Sequence, residues 1–243
     1  MTVNRRTYLA LAASTLVAGC SFGSDGGSPT EEPSETPQKG DRNAGGSGPA
    51  PPAEIETVDH ELYVEGEGDE ASAYVVVELQ NVTWESSGPI ELTTAFFDAD
   101  EESLDEVTNS LVGLDSGEVW EAYVPYVGEG AAVEDYEIDV SYDRRPSGGS
   151  DEGIELLDAE LATTDYEASI AGKARNRRDG TIGYLEAHGK FYVDDLTVIA
   201  SSWASVTDLA IDEAWTFDIV TARYGGWRDE ISDVSVSFSD RPV

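Results

Sequence analysis

Residues 74–81 read Tyr74-Val75-Val76-Val77-Glu78-Leu79-Gln80-Asn81, and whether this stretch is helix or strand decides the class of the whole fold. Val75, Val77 and Leu79 recur at period two, which places them on one face of a strand. Thr93 to Phe97 and Glu118 to Val124 alternate in the same way, and no amphipathic helix of ordinary length interrupts them. Turn formers separate the runs: Glu85-Ser86-Ser87-Gly88-Pro89, Asp98-Ala99-Asp100 and Asp115-Ser116-Gly117. Short strands divided at close intervals predict an all-β sandwich or barrel.

Working outward, the pattern returns. An offset of 95 carries Asn81 onto Asn176, Phe96 onto Phe191, Phe97 onto Tyr192, Leu114 onto Leu209, Glu118 onto Glu213, Trp120 onto Trp215 and Val124 onto Ile219. One inserted residue then brings Ile138, Val140 and Tyr142 onto Val234, Val236 and Phe238, while upstream Leu62 falls on Leu157 and Val75 on Ile170. A spacing this long describes two domains rather than a solenoid. We expect them at 57–143 and 154–240, with 144–153 as the joint. Domains of this size have thin cores, so Phe96, Trp120, Phe191 and Trp215 are expected inside.

Asn81, the strand end Thr94-Ala95-Phe96-Phe97-Asp98 and Gly117-Glu118-Val119-Trp120 resemble the FxLyD module. The second copy repeats this with Asn176, Gly189-Lys190-Phe191-Tyr192 and Asp212-Glu213-Ala214-Trp215. The first aromatic of the pattern is replaced by Thr94 and Gly189, and the aspartate of copy one, Asp98, meets Val193 with Asp194 beside it in copy two. The resemblance implies two tandem small immunoglobulin-like β-sandwiches of the kind common in archaeal and bacterial envelope proteins. It implies no reaction and no cofactor.

The charge balance restricts the medium. With 50 acids against 14 basic residues the formal net charge is −36, and such self-repulsion opposes a compact state in dilute buffer. At molar salt the Debye length falls to about 3 Å and the repulsion fades. Acids spread through both copies, with lysine confined to Lys39, Lys173 and Lys190, resemble the composition of haloarchaeal proteins. The same charge excludes nucleic acid as a partner.

The N-terminus supplies an address. Asn4-Arg5-Arg6-Thr7-Tyr8-Leu9 resembles a twin-arginine export motif, with Arg5 and Arg6 as its signal, and the apolar run Tyr8 to Ala18 is too short to span a bilayer. Val17-Ala18-Gly19-Cys20 resembles a lipobox, which implies a signal peptide at 1–19 and a lipid on Cys20, the only cysteine of the chain. Residues 20–53, rich in Gly, Ser, Pro and Glu, are expected to be a disordered linker with a reach of roughly 30 Å. The expected location is the extracellular face of the cell membrane. The membrane, through the lipid, and other envelope proteins are the expected partners.

Chemistry is harder to find. Cys20 is committed to its lipid and only His60 and His188 remain, so no catalytic constellation or zinc set is legible and we expect a non-catalytic protein without a resident cofactor. Asp98, Asp100 and Glu102 offer hard oxygen ligands on one loop, which keeps open the alternative of a calcium-dependent or hydrolytic surface protein. Lys173, Arg175 and Arg177 alternate onto one strand face, where they could meet a carboxylate ligand or the other module, or pair across a hairpin with Glu186. Asn81-Val82-Thr83 has the form of a glycosylation acceptor, although Asn176 keeps the asparagine without the hydroxyl, which favours a turn-forming role.

Overall fold

The computed structural model describes residues 51–146, 149–164, 167–222 and 231–242. The signal motif with Arg5 and Arg6, Cys20 and nearly all of the linker lie outside the described residues.

The chain is all-β, as the alternation predicts. Each repeat contributes six strands: β1 (Ile55–Glu65), β2 (Ser72–Asn81), β3 (Ile90–Phe97), β4 (Ser103–Leu111), β5 (Val119–Pro125) and β6 (Asp135–Tyr142), then β7 (Ile154–Thr163), β8 (Glu167–Asn176), β9 (Ile182–Tyr192), β10 (Thr197–Leu209), β11 (Ala214–Ala222) and β12 (Asp233–Ser239). In the first repeat β1-β2-β5 forms one layer and β4-β3-β6 the other; in the second, β7-β8-β11 and β10-β9-β12 repeat the arrangement. Two antiparallel layers connected this way make an immunoglobulin-like sandwich.

Alternation accounts for the cores. Ala73, Val75, Val77 and Leu79 of β2 meet Leu92 and Phe96 of β3 and Trp120, Ala122 and Val124 of β5 in the first core. Ile170 and Ala174 of β8 meet Ala187 and Phe191 of β9 and Phe217 and Ile219 of β11 in the second. Trp120 is buried and Trp215 half-buried against its own core, as expected of both.

Register corrects the upstream part of the repeat. Leu62 pairs with Val75, but the residue paired with Ile170 is Leu161, not Leu157. Leu157 instead falls at a bulge between Leu156 and Asp158, matching the bulge between Thr57 and Asp59 in β1. The second hairpin has a shorter connection, and the offset of the first strand grows accordingly. A constant sequence offset could not reveal this, because loop length changes without changing the pairing.

The two sandwiches are joined in one sheet. Thr197 and Val198 of β10 pair in parallel with Val119 and Trp120 of β5, giving a six-stranded order β1-β2-β5-β10-β9-β12 that runs from one repeat into the other. Val119 N–H also donates to Leu196 O at 3.0 Å. Tyr192 and Val198 of the second repeat pack into the first repeat's core.

A second correction follows from topology. The hairpin that would set Glu186 beside Lys173 does not form, because β8 pairs with β7 and β11 while β9 pairs with β10 and β12. The chain crosses between layers at that point.

Candidate functional site at the seam between the repeats

A turn that occurs twice builds the seam. In copy one Gly117 has φ +81° and in copy two Asp212 has φ +58°, a left-handed conformation that glycine adopts freely and aspartate tolerates. Gly117 N–H donates to Asn81 O and Asp212 N–H to Asn176 O. The glutamate that follows folds its carboxylate back onto the turn: Glu118 Oε2 accepts from Asp115 N–H at 2.7 Å, and Glu213 Oε2 from Ala210 N–H at 2.8 Å.

The two asparagines hold these turns from below. Asn81 Nδ2 donates to Glu85 O and Leu114 O while its Oδ1 accepts from Thr83 N–H and Thr83 Oγ1. Asn176 Nδ2 donates to Gly180 O and Leu209 O, and its Oδ1 accepts from Arg178 N–H. Both side chains are fully buried. The reading of Asn81 as a glycan acceptor therefore gives way to the turn-forming one: in the folded chain both amide hydrogens are engaged and none faces solvent.

Here the copies diverge. Glu213 stays exposed, whereas Glu118 is buried and takes two further donors from the other repeat. Lys190 Nζ lies 2.7 Å from Glu118 Oε2 and 3.1 Å from Asp115 Oδ2, and Tyr192 OH donates to Glu118 Oε1 at 2.8 Å. A buried carboxylate is stable only when paired and hydrogen-bonded, and these contacts satisfy both of its oxygens. Burial would raise the Asp115 carboxyl, but the Ser86 hydroxyl and the Lys190 ammonium outweigh it and hold the group below the usual range. Burial, together with the neighbouring Glu118 carboxylate, drives the Tyr192 phenol well above its ordinary value.

Lys190 and Tyr192 belong to a row on the outward face of β9 that also includes Glu186 and His188. All four are buried, although the corresponding positions of copy one, Glu91 and Thr93 among them, are exposed or half-buried. The first repeat covers the Lys190 end of that row. His188 Nε2 is 3.0 Å from Glu186 Oε2 but without hydrogen-bond alignment. Burial lowers the pKa of this imidazole more than the nearby carboxylate raises it, so it is neutral at neutral pH.

Beside His188 the seam opens into a cavity of about 540 Å³. Its lining comes from both repeats, including Glu91, Ser110 and Asp143 from the first and His188, Ser201 and Trp203 from the second. Val112 N–H donates to Ser201 Oγ at 3.0 Å and ties the two walls together.

The remaining residues singled out from the sequence fall elsewhere. Asp98, Asp100 and Glu102 do not form a ligand shell: Asp98 Oδ1 accepts from Asp100 N–H and Glu102 N–H, both at 2.9 Å, and so caps its own turn. Asp194 does the same in copy two with Leu196 N–H and Thr197 N–H. Among the described residues no three His, Cys, Asp or Glu side chains are gathered as a metal would require. Lys173 and Arg175 do share the outer face of β8, in the layer away from the seam, and Arg177 follows just past the strand's last residue. Arg177 is engaged within its own repeat, 2.7 Å from Glu155 and 3.0 Å from Asp212. His60 lies in β1, with Nδ1 2.6 Å from Tyr136 OH.

Sequence reasoning missed Lys190, Tyr192 and Trp203 as positions of this seam and its cavity. One signal was present: Lys190 is one of three lysines in a strongly acidic chain and stands in a strand otherwise rich in apolar residues.

No family model matches the chain, and no curated protein matches it. Among solved structures, a β-glucuronidase from glycoside hydrolase family 2 overlaps 62% of this chain and 11% of its own at 15% identity and a TM-score of 0.22. Red sea bream transglutaminase overlaps 74% and 29% at 7% identity and 0.23. The N-terminal CBM22-1-CBM22-2 tandem domain of Paenibacillus barcinonensis Xyn10C overlaps 76% and 85% at 9% identity and 0.18. The chain thus spans less than a third of the first two proteins, and likenesses at these TM-scores carry no argument about what it does.

Proposed function

We propose that this protein is a lipid-anchored, non-catalytic component of a halophile's cell envelope, exported through its Arg5-Arg6 signal and held at the outer face by a lipid on Cys20. Its paired sandwiches act as one binding or spacer arm beyond a flexible linker. The observation that best supports this reading is the seam itself. A shared six-stranded sheet and the buried Lys190–Glu118 pair join the two repeats, as a spacer that must hold its far end at a fixed distance requires.

The test is fractionation in the native salt. Wild-type protein should sediment with membranes, and Cys20→Ser should escape into the medium with its fold intact. Retention of Cys20→Ser in the membrane fraction would sink the reading. Halophily has its own check: lowering salt from molar to about 0.1 M lengthens the Debye length to about 10 Å and should unfold the chain.

A further inference from the structure

The cavity at the seam brings together two sheet faces that differ in chemistry. On the first repeat's side, Glu91 stands in register with Ser110 of β4 and with Ser141 of β6, so one carboxylate is flanked by two hydroxyls on the exposed face of the layer. On the second repeat's side, Trp203 stands in register with His188 on the outward face of β10 and β9. Trp203 is 59% exposed and belongs to neither core. Its indole is an apolar surface held open at the mouth of a polar cavity.

We propose that this cleft binds a neutral sugar. A sugar ring has a flat C–H face, which suits the negative face of an indole, and a rim of hydroxyls that each donate and accept. Trp203 provides the platform. Glu91 and Asp143 accept from neighbouring hydroxyls, and Ser110 and Ser141 can donate or accept as the ring requires. The cavity size falls within the range of small-molecule sites, about 300–1,000 Å³. No lysine or arginine lines it, so an anionic ligand would meet carboxylates without a counter-charge.

An organic cation could also approach an indole flanked by carboxylates, but its attraction is electrostatic and declines in concentrated salt. Stacking and neutral hydrogen bonds persist there. The serines lining both walls add bidirectional partners that a cation does not use. The inference deepens the proposed function by naming a ligand class for the arm, and it is read on purified protein whatever becomes of the anchor.

The experiment uses the full chain carrying Cys20→Ser, titrated in high salt with maltohexaose, cellohexaose, mannohexaose and N-acetylchitohexaose while tryptophan fluorescence and binding heat are followed. At least one sugar should give a saturable isotherm. Trp203→Ala should weaken it roughly tenfold or more, Glu91→Gln should weaken it measurably, and Trp84→Ala, at a residue 87% exposed and outside the cavity, should leave it unchanged. Between molar and several-molar salt the affinity should hold within about twofold. No saturable binding by any of the four sugars, binding indifferent to Trp203→Ala, or binding of tetramethylammonium alone with affinity falling as salt rises would each overturn it.

Discussion

Lys190 Nζ of the second repeat lies 2.7 Å from Glu118 Oε2 of the first, with both side chains at about a tenth of their free exposure. This contact crosses the seam where β10 joins β5, and each charge is buried because the other is there. Removing one partner should therefore cost more than the pair contributes. Lys190→Met leaves Glu118 buried without its cation and should destabilise the chain by about 3–5 kcal/mol, whereas the double change Lys190→Met with Glu118→Leu should recover a large part of that loss. Chemical denaturation of the single and double variants at constant high salt checks the sign and the non-additivity.

His188 sets a mild acid dependence. Its imidazole titrates at 6.5 when unfolded and lower when folded, because burial disfavours the cation. The unfolded chain therefore takes up the proton first, and stability falls as pH drops below about 6.5, ceasing to fall where the folded imidazole protonates. A further loss follows below about 3.8, where an unfolded aspartate takes up its proton while Asp115, held low by Ser86 and Lys190, still stays ionised. Melting curves of wild type and His188→Asn between pH 7 and about pH 3 separate the two contributions: the variant should lack the upper slope and keep the lower one.

Tyr63, Tyr74 and Tyr123 cross the outer face of β1-β2-β5, with Tyr63 and Tyr74 stacked at 5.1 Å and Tyr74 and Tyr123 at 4.6 Å. A hydrogen bond to Glu61 pushes Tyr63 up to about 12, and burial with a hydrogen bond to Glu65 does the same for Tyr74. An unfolded phenol ionises near 10, so stability is intact below that pH and is lost as pH rises towards 12. Absorbance at 295 nm should register these phenols late, and Tyr74→Phe should remove one late group without disturbing the stack.

Asn81 and Asn176 should behave as a matched pair. Each amide satisfies several buried backbone groups, so Asn81→Ala or Asn176→Ala leaves carbonyls and an N–H without partners and should cost about 1–3 kcal/mol or more. Asn81→Asp tests the same point, because a carboxylate cannot donate to Glu85 O and Leu114 O. Intact-mass measurement of secreted chain should show Asn81 unmodified; a glycan there would contradict the buried geometry.

Much of the fold was written in short-range pattern. Period-two alternation in residues 74–79 and 118–124 identified strands with one face inward, because pleating makes the inner face a local property. The repeat found the Asn81 and Asn176 turns for a similar reason, since each turn is built from a few neighbouring positions. The pairings were less legible. Nothing local distinguishes a hairpin between β8 and β9 from a crossing between layers, and the choice removed Glu186 from Lys173. The offset misassigned Leu157 because loop length is free to change where strand register is not.

Sequence alone determined that this is a duplicated, acidic, all-strand body with a single cysteine ahead of it, since composition, alternation and repeat spacing need no knowledge of distant contacts. Only the tertiary structure decided which faces meet. Glu118 and Lys190 are 72 residues apart in the chain, and alternation states that a residue points outward from its own layer without stating what covers it. The join of β10 to β5 brings the Asp115–Glu118 turn of the first repeat over the Lys190 end of the row on β9, turning Lys190 and Tyr192 from surface residues into the seam and leaving the Trp203 cleft beside it.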